Sequence, residues 1–189
     1  MKLLDTIRQL FCGEQKVKIV EKEVFKIVET QRVPKHVRII LKGFELIGLK
    51  EISGKESNPQ LLALLQKWLP EAYDDSRTAW CVIYLNEVLE RSGIKPFKTL
   101  AARELLKEAP AIALKSPRDG FRTGDIVVYW REDKEKSWKG HAHFYIHDDE
   151  KYVYGLGGNQ RNEVSVAPYP KSRILGVIDP TLLPVLVEG

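Results

Sequence analysis

"TAWCVIYLNEVLERSG", running from Thr78 to Gly93, puts a cysteine where a helix should begin, directly after a tryptophan and ahead of an apolar stripe. Thr78 is a candidate N-cap, so Cys81 falls in the first turn, and Leu85, Val88 and Ser92 continue the same face at helical spacing. A cysteine by itself is usually a small buried hydrophobe. A first-turn position changes its chemistry, because the unpaired backbone N–H groups and the positive end of the helix dipole stabilise a thiolate. The meaning of Cys81 therefore depends on which partners the rest of the chain can bring to it.

Upstream, the pattern is helical. "KHVRIILKGFELIGL" sets Val37, Ile40, Leu41, Phe44 and Ile47 on one face and ends near Gly48 and Gly54. In "NPQLLALLQKWL", Asn58 is a candidate cap and Pro59 stands in the first turn, with Leu61, Leu62, Leu65 and Leu69 as the stripe. The segment from Thr78 is the third helix, and "TLAARELLKEA" a fourth. After Gly120 the period becomes strand-like: "DIVVYW", "HAHFYIH", "KYVYGL", "EVSVA" and "RILGVI" are each bounded by turn residues or charges. Helices followed by a run of five short strands predict an α+β domain with a small antiparallel sheet.

The 189 residues, 43% of them hydrophobic, suffice for one domain and an appendage. Residues 1–34 form the appendage. There "KVKIVEKEVFKIVETQ" spaces Val17, Val20, Val24 and Ile27 by alternating threes and fours, a seam of about two heptads that suits a short coiled coil or attachment arm. Pro34 closes it, and residues 35–189 read as the domain proper. Homo-oligomerisation, or docking to a larger assembly, is the expected use of the arm. A net charge of +4 suits an anionic polymer but falls short of a nucleic-acid footprint, so no nucleic-acid partner is expected. Cys12 and Cys81 show no CxxC or CxxH spacing, which argues against a disulfide framework or a structural zinc site. Asp5, Arg8 and Gln9 interrupt any signal-peptide core, and no apolar run reaches membrane-spanning length. Synthesis in the cytoplasm without membrane insertion is the expectation, so a target outside the cell would require separate delivery.

"KGHAHFYIH" supplies the candidate base. Strand alternation places His141, His143, Tyr145 and His147 on one side and Ala142, Phe144 and Ile146 on the other. A histidine strip facing the cysteine helix would be costly to bury without partners, which favours a site. His147, beside Asp148 and Asp149, reads as solvated. A thiol and imidazole pair needs a third group to hold the ring in one tautomer. Asn159 and Gln160 in "YGLGGNQRNE" offer amide oxygens at the end of the next strand.

In that order along the chain, "AWC" opening a helix, Gly124-Asp125 opening a strand, "GHAHF" and "LGGNQ" resemble the papain-like cell-wall hydrolases of the CHAP and NlpC kind. They are most similar to phage and prophage proteins in which Trp-Cys, Gly-His and Gly-Gly-Asn-Gln elements recur. The resemblance covers about residues 43–180, including the lead-in "GLKEISGKESNP", and leaves out the arm. It implies a papain-like fold and cysteine hydrolysis of an amide bond in bacterial peptidoglycan, either muramoyl to L-alanine or within the stem peptide. It implies no cofactor or metal, and action at the cell wall after release or within a phage particle. Carried over by motif, the nucleophile is Cys81, the base His141 and the orienting residue Asn159, with Trp80, His143 and Gln160 as possible support. His143 stands where related proteins carry a small residue, so the choice between His141 and His143 stays open; Gly140 favours His141. Two other readings compete: a His-x-His metal protein, and a catalytically silent structural component of a phage particle.

Overall fold

The computed structural model describes residues 33–52, 57–72, 74 and 79–186. The arm up to residue 32, with Cys12 and its Val/Ile seam, and the expected cap Thr78 lie outside the described residues. Four helices are present among those described: α1 (Lys35–Phe44), α2 (Pro59–Trp68), α3 (Cys81–Arg91) and the single turn α4 (Leu105–Glu108). Six strands follow in one antiparallel sheet: β1 (Leu114–Lys115), β2 (Ile126–Trp130), β3 (Gly140–Asp148), β4 (Tyr152–Gly157), β5 (Ser165–Pro170) and β6 (Ile174–Ile178). Their order is β1-β6-β2-β3-β4-β5. This is an α+β fold with the cysteine helix packed on an antiparallel sheet. No described helix is long and apolar enough to cross a membrane.

Local chemistry accounts for most of these elements. Asn58 caps α2 by accepting from the Gln60 and Leu61 amides at 3.0 and 3.4 Å, and Pro59 fills a position that needs no donor. Every residue of α3 from Cys81 to Leu89 is buried. Asn86 and Glu87 within it are satisfied, the Asn86 amide exchanging two 3.0 Å bonds with the Phe97 backbone and Glu87 taking Lys67, Arg91 and the Trp68 indole, whereas the buried Tyr84 hydroxyl has no partner among the described residues. Those cations hold the Glu87 carboxyl below the usual range despite its burial.

Three sequence expectations are corrected. Most of the α1 stripe does not face the core: Val37, Leu41, Phe44 and, beyond the helix, Ile47 are exposed, Ile40 packs on the core part-buried, and the buried line is Ile39 and Gly43. The cause is Gly43, where a β-carbon would stand 2.7 Å from the Tyr84 hydroxyl and 2.8 Å from Leu156, so close approach outweighs side-chain size. The fourth helix shrinks to a 3-10 turn, Ala102–Glu104, running into α4. The sheet also gains β1, which pairs Leu114 and Lys115 with Ile178 and Val177.

The two faces of the sheet differ. Ile126, Val128, Ala142, Phe144, Leu156 and Ile178 join the helical core. Val127, Tyr129, Tyr145, Val153 and Val177 form a second cluster, with Phe121, Tyr169 and Ile174 packed on it. Tyr129 of β2 and Tyr169 of β5 lie 5.1 Å apart by ring centre although two strands separate them, so the sheet curls around this second cluster.

Candidate active site

The thiol sits where two strands part. Tyr145 N–H bonds the Asp125 carbonyl and Arg131 N–H the Lys139 carbonyl, so the odd-numbered residues of β3 direct their backbone groups to β2 and the even-numbered ones away from it. Pairing of β3 with β4 begins only at Phe144 with Leu156, which leaves the Ala142 amide without a strand partner. Cys81, the first residue of α3, fills that fork: its sulfur receives the Ala142 amide together with those of Val82 and Cys81 itself. Burial nevertheless pushes the Cys81 thiol up, so the resting sulfur is protonated; the three amides and the Arg131 charge act in the opposite direction.

Trp80 occupies the N-cap position without a side-chain cap bond. Fully buried, it donates its indole N–H to Glu51 at 2.9 Å. Glu51 belongs to a strap in which the Gly48 and Glu51 amides bond the Val164 and Asn162 carbonyls, tying the lead-in segment to the Gly-Gly-Asn-Gln turn. The glycines of that stretch make room for the site. A β-carbon on Gly155 would overlap the His143 ring. On Gly157 it would meet His143 at 2.8 Å, and on Gly158 Tyr84 at 2.5 Å and the Trp80 ring at 2.7 Å.

His141 and His143 are buried on the curled face, away from the helical layer rather than toward it as the alternation suggested. The thiol meets the histidine-bearing strand at its backbone edge. Gln160 decides the rings' tautomers. Its amide nitrogen donates to the Gly155 carbonyl at 3.1 Å and to the Ser165 carbonyl, so its oxygen must be the atom turned to the rings. That oxygen lies 3.1 Å from His141 Nε2 and 3.2 Å from His143 Nδ1, and an acceptor requires N–H at both. His143 Nε2 is then the acceptor of the Tyr129 hydroxyl at 2.8 Å. Both nitrogens of His143 are committed, whereas His141 keeps a lone pair on Nδ1. The ring of Tyr169 stacks on His141 at 4.4 Å and 11°.

Burial lowers His141 to about 4, against the Gln160 bond, with Arg131 adding to the depression. Burial, and then the neighbouring His141, lowers His143 to about 3. Both rings are neutral near pH 7. Burial raises the Tyr129 and Tyr169 hydroxyls, which stay protonated.

The sequence-predicted residues divide accordingly. Cys81, Trp80, His141, His143 and Gln160 are brought to one end of β3. Asn159 is displaced: it takes the left-handed turn position at φ 54°, and the oxygen on the far nitrogen of His141 belongs to Gln160. His147 leaves the strip because the register shifts between Tyr145 and His147, a bulge that carries it to the surface against Tyr154 at 4.3 Å. The ring nitrogens that a His-x-His ligand pair would present meet instead at the Gln160 oxygen. Sequence reasoning missed Tyr129, Tyr169 and Glu51; Tyr129 stands directly across from His141 in the strand register, a position open to inference once the strands are aligned.

No family model and no curated protein matches the chain. Among solved structures, a Staphylococcus aureus protein described as similar to a lipoprotein of the NLP/P60 family superposes with a TM-score of 0.46 at 13% identity. The match covers 77% of this chain and 41% of that one, so the chain spans less than half the length of this neighbour.

Proposed function

We propose that the chain is a cysteine hydrolase that cleaves an amide bond of bacterial peptidoglycan, with Cys81 as nucleophile, His141 as base and Gln160 as the residue that orients His141. One observation carries the chemistry: Gln160 fixes the His141 proton on Nε2 and leaves Nδ1 basic, at the strand end where the Cys81 sulfur is held by backbone amides. Peptidoglycan as the source of the amide is supported by the motif resemblance and by the mild positive charge.

In this mechanism His141 Nδ1 takes the thiol proton as the sulfur attacks the carbonyl carbon. The resulting imidazolium, held by Gln160, returns the proton to the departing amine as the carbon–nitrogen bond breaks. Water, deprotonated by the same nitrogen, then cleaves the thioester and restores the thiol. In this reading the backbone amides at the start of α3, which bond the resting sulfur, take up the negative charge that develops on the carbonyl oxygen. His143 and Tyr129 hold Gln160 in place and take no proton.

Digestion of purified sacculi, followed by mass spectrometry of the released fragments, tests activity and identifies the bond. Cys81→Ala should abolish release while leaving the fold intact, and His141→Ala should be comparably damaging. Release at the parental rate by the Cys81→Ala protein would overturn the reading. Absence of release by the parental chain would favour a silent structural component.

A further inference from the structure

The loop joining β2 to β3, Arg131 to Lys139, is charged except for Ser137 and Trp138, and Trp138 is 74% exposed. The loop is tied down. Asp133 accepts from the Glu135 and Lys136 amides at 2.9 and 2.7 Å, and Lys139 pairs with Glu132 at 2.5 Å. From a different segment, the Arg103 guanidinium donates to the Ser137 carbonyl and, at 2.6 Å, to that of Lys134. The Arg103 stem lies over Gly140, where a β-carbon would approach it to 2.8 Å, and the next residue is His141. An indole bared to water on a braced loop adds nothing to the core, and its position is fixed beside the strand that carries the base.

Trp138 lines a cavity of about 690 Å³, a size that accommodates a small organic ligand. Leu106 and Leu175 contribute apolar lining. The lining carries both signs of charge, Arg103, Glu104 and Lys107 from one segment and Glu135 and Lys136 from the loop. An exposed indole beside apolar lining suits the C–H face of a sugar ring, and a lining of mixed sign suits uncharged hydroxyl and acetamido groups better than an acidic or basic peptide. We propose that this groove is a saccharide subsite in which Trp138 stacks on a ring of the glycan strand and thereby delivers the attached amide to Cys81. The proposal rests on the peptidoglycan reading for its biological substrate.

The test uses binding, so that it does not depend on turnover. Full-length chain carrying Cys81→Ala is titrated calorimetrically with chitotetraose, a peptide-free β-1,4-linked N-acetylglucosamine oligomer. Binding is expected, weakened roughly tenfold or more by an added Trp138→Ala and largely restored by Trp138→Phe. Thermal melting checks that these variants fold; an indole so exposed should be removable with little change. No binding of chitotetraose, or equal binding by Trp138→Ala, would overturn the subsite. So would Trp138-dependent binding of a sugar-free stem peptide, which would make the groove a peptide site. Loss of sacculus digestion by the parental chain with saccharide binding intact would strike the hydrolase reading alone.

Discussion

The two faces of β3 are built on different principles. Toward the helices, Ala142 and Phe144 fill space, with Phe144 edge-on to Tyr84 at 6.2 Å. Toward the inside of the curl, His141 and His143 fill valences, each ring nitrogen given a donor or acceptor role by Gln160 and Tyr129 except the one left for chemistry. The first face tolerates error in proportion to the volume lost. The second tolerates very little, because a buried polar atom without its partner costs more than its bond contributed.

The largest stability loss should follow from the space-filling face. Phe144→Ala should cost about 3–5 kcal/mol in urea unfolding, the range for emptying a buried aromatic site. A loss below about 1 kcal/mol would mean that the helical layer does not rely on β3. Gln160→Ala should cost less stability, about 1–3 kcal/mol, from two orphaned imidazole N–H groups. Its turnover should nevertheless fall by roughly 10²–10⁴-fold with KM little changed, because the base loses its fixed tautomer. Unchanged kcat would break the contrast between the faces.

Acidification should weaken the hydrogen-bonded face through its two histidines. His141 and His143 titrate at about 4 and about 3 when folded, against 6.5 ordinarily, so between these values the unfolded chain binds more protons. The stability present above about pH 6.5 is lost as pH falls toward 4 and then 3. Melting temperature should therefore decline from pH 7 to 4, and less steeply in His143→Asn. Equal slopes would remove His143 as a source. The acid limb of kcat/KM should likewise lie near 4 rather than 6.5. The smallest effect belongs to Asn159→Gly, which keeps the left-handed turn and should change stability by less than about 0.5 kcal/mol and turnover by less than about twofold. A large loss of turnover would return the orienting role to Asn159.

Hydrophobic period located the helices and the longer strands, whose lengths let a repeat of about 3.6 or 2 residues show itself. It could not show β1, because two residues have no alternation. It misjudged α1, because a periodicity of large side chains cannot report that Gly43 admits closer packing than any of them. Within the site, the cysteine, the histidine pair and the amide-bearing turn were legible. The choice between Asn159 and Gln160 was not, since it depends on which of them takes the positive φ. The exposure of His147 was legible from Asp148 and Asp149 beside it; the bulge that produces it, which depends on register with β4, was not.

Gly155 has one further consequence. It lies in register with Tyr145, its carbonyl accepts from the Gln160 amide, and the His143 ring occupies the space its side chain would need. A single methyl there would evict the ring and disconnect Tyr129 from Gln160. Gly155→Ala is thus a lesion outside the reacting groups that mimics the loss of one: an inactive protein whose thiol, base and orienting amide are all still encoded. Screening for loss of activity should recover substitutions at Gly155 beside those at the reacting residues, and a reversion there would have to shrink His143.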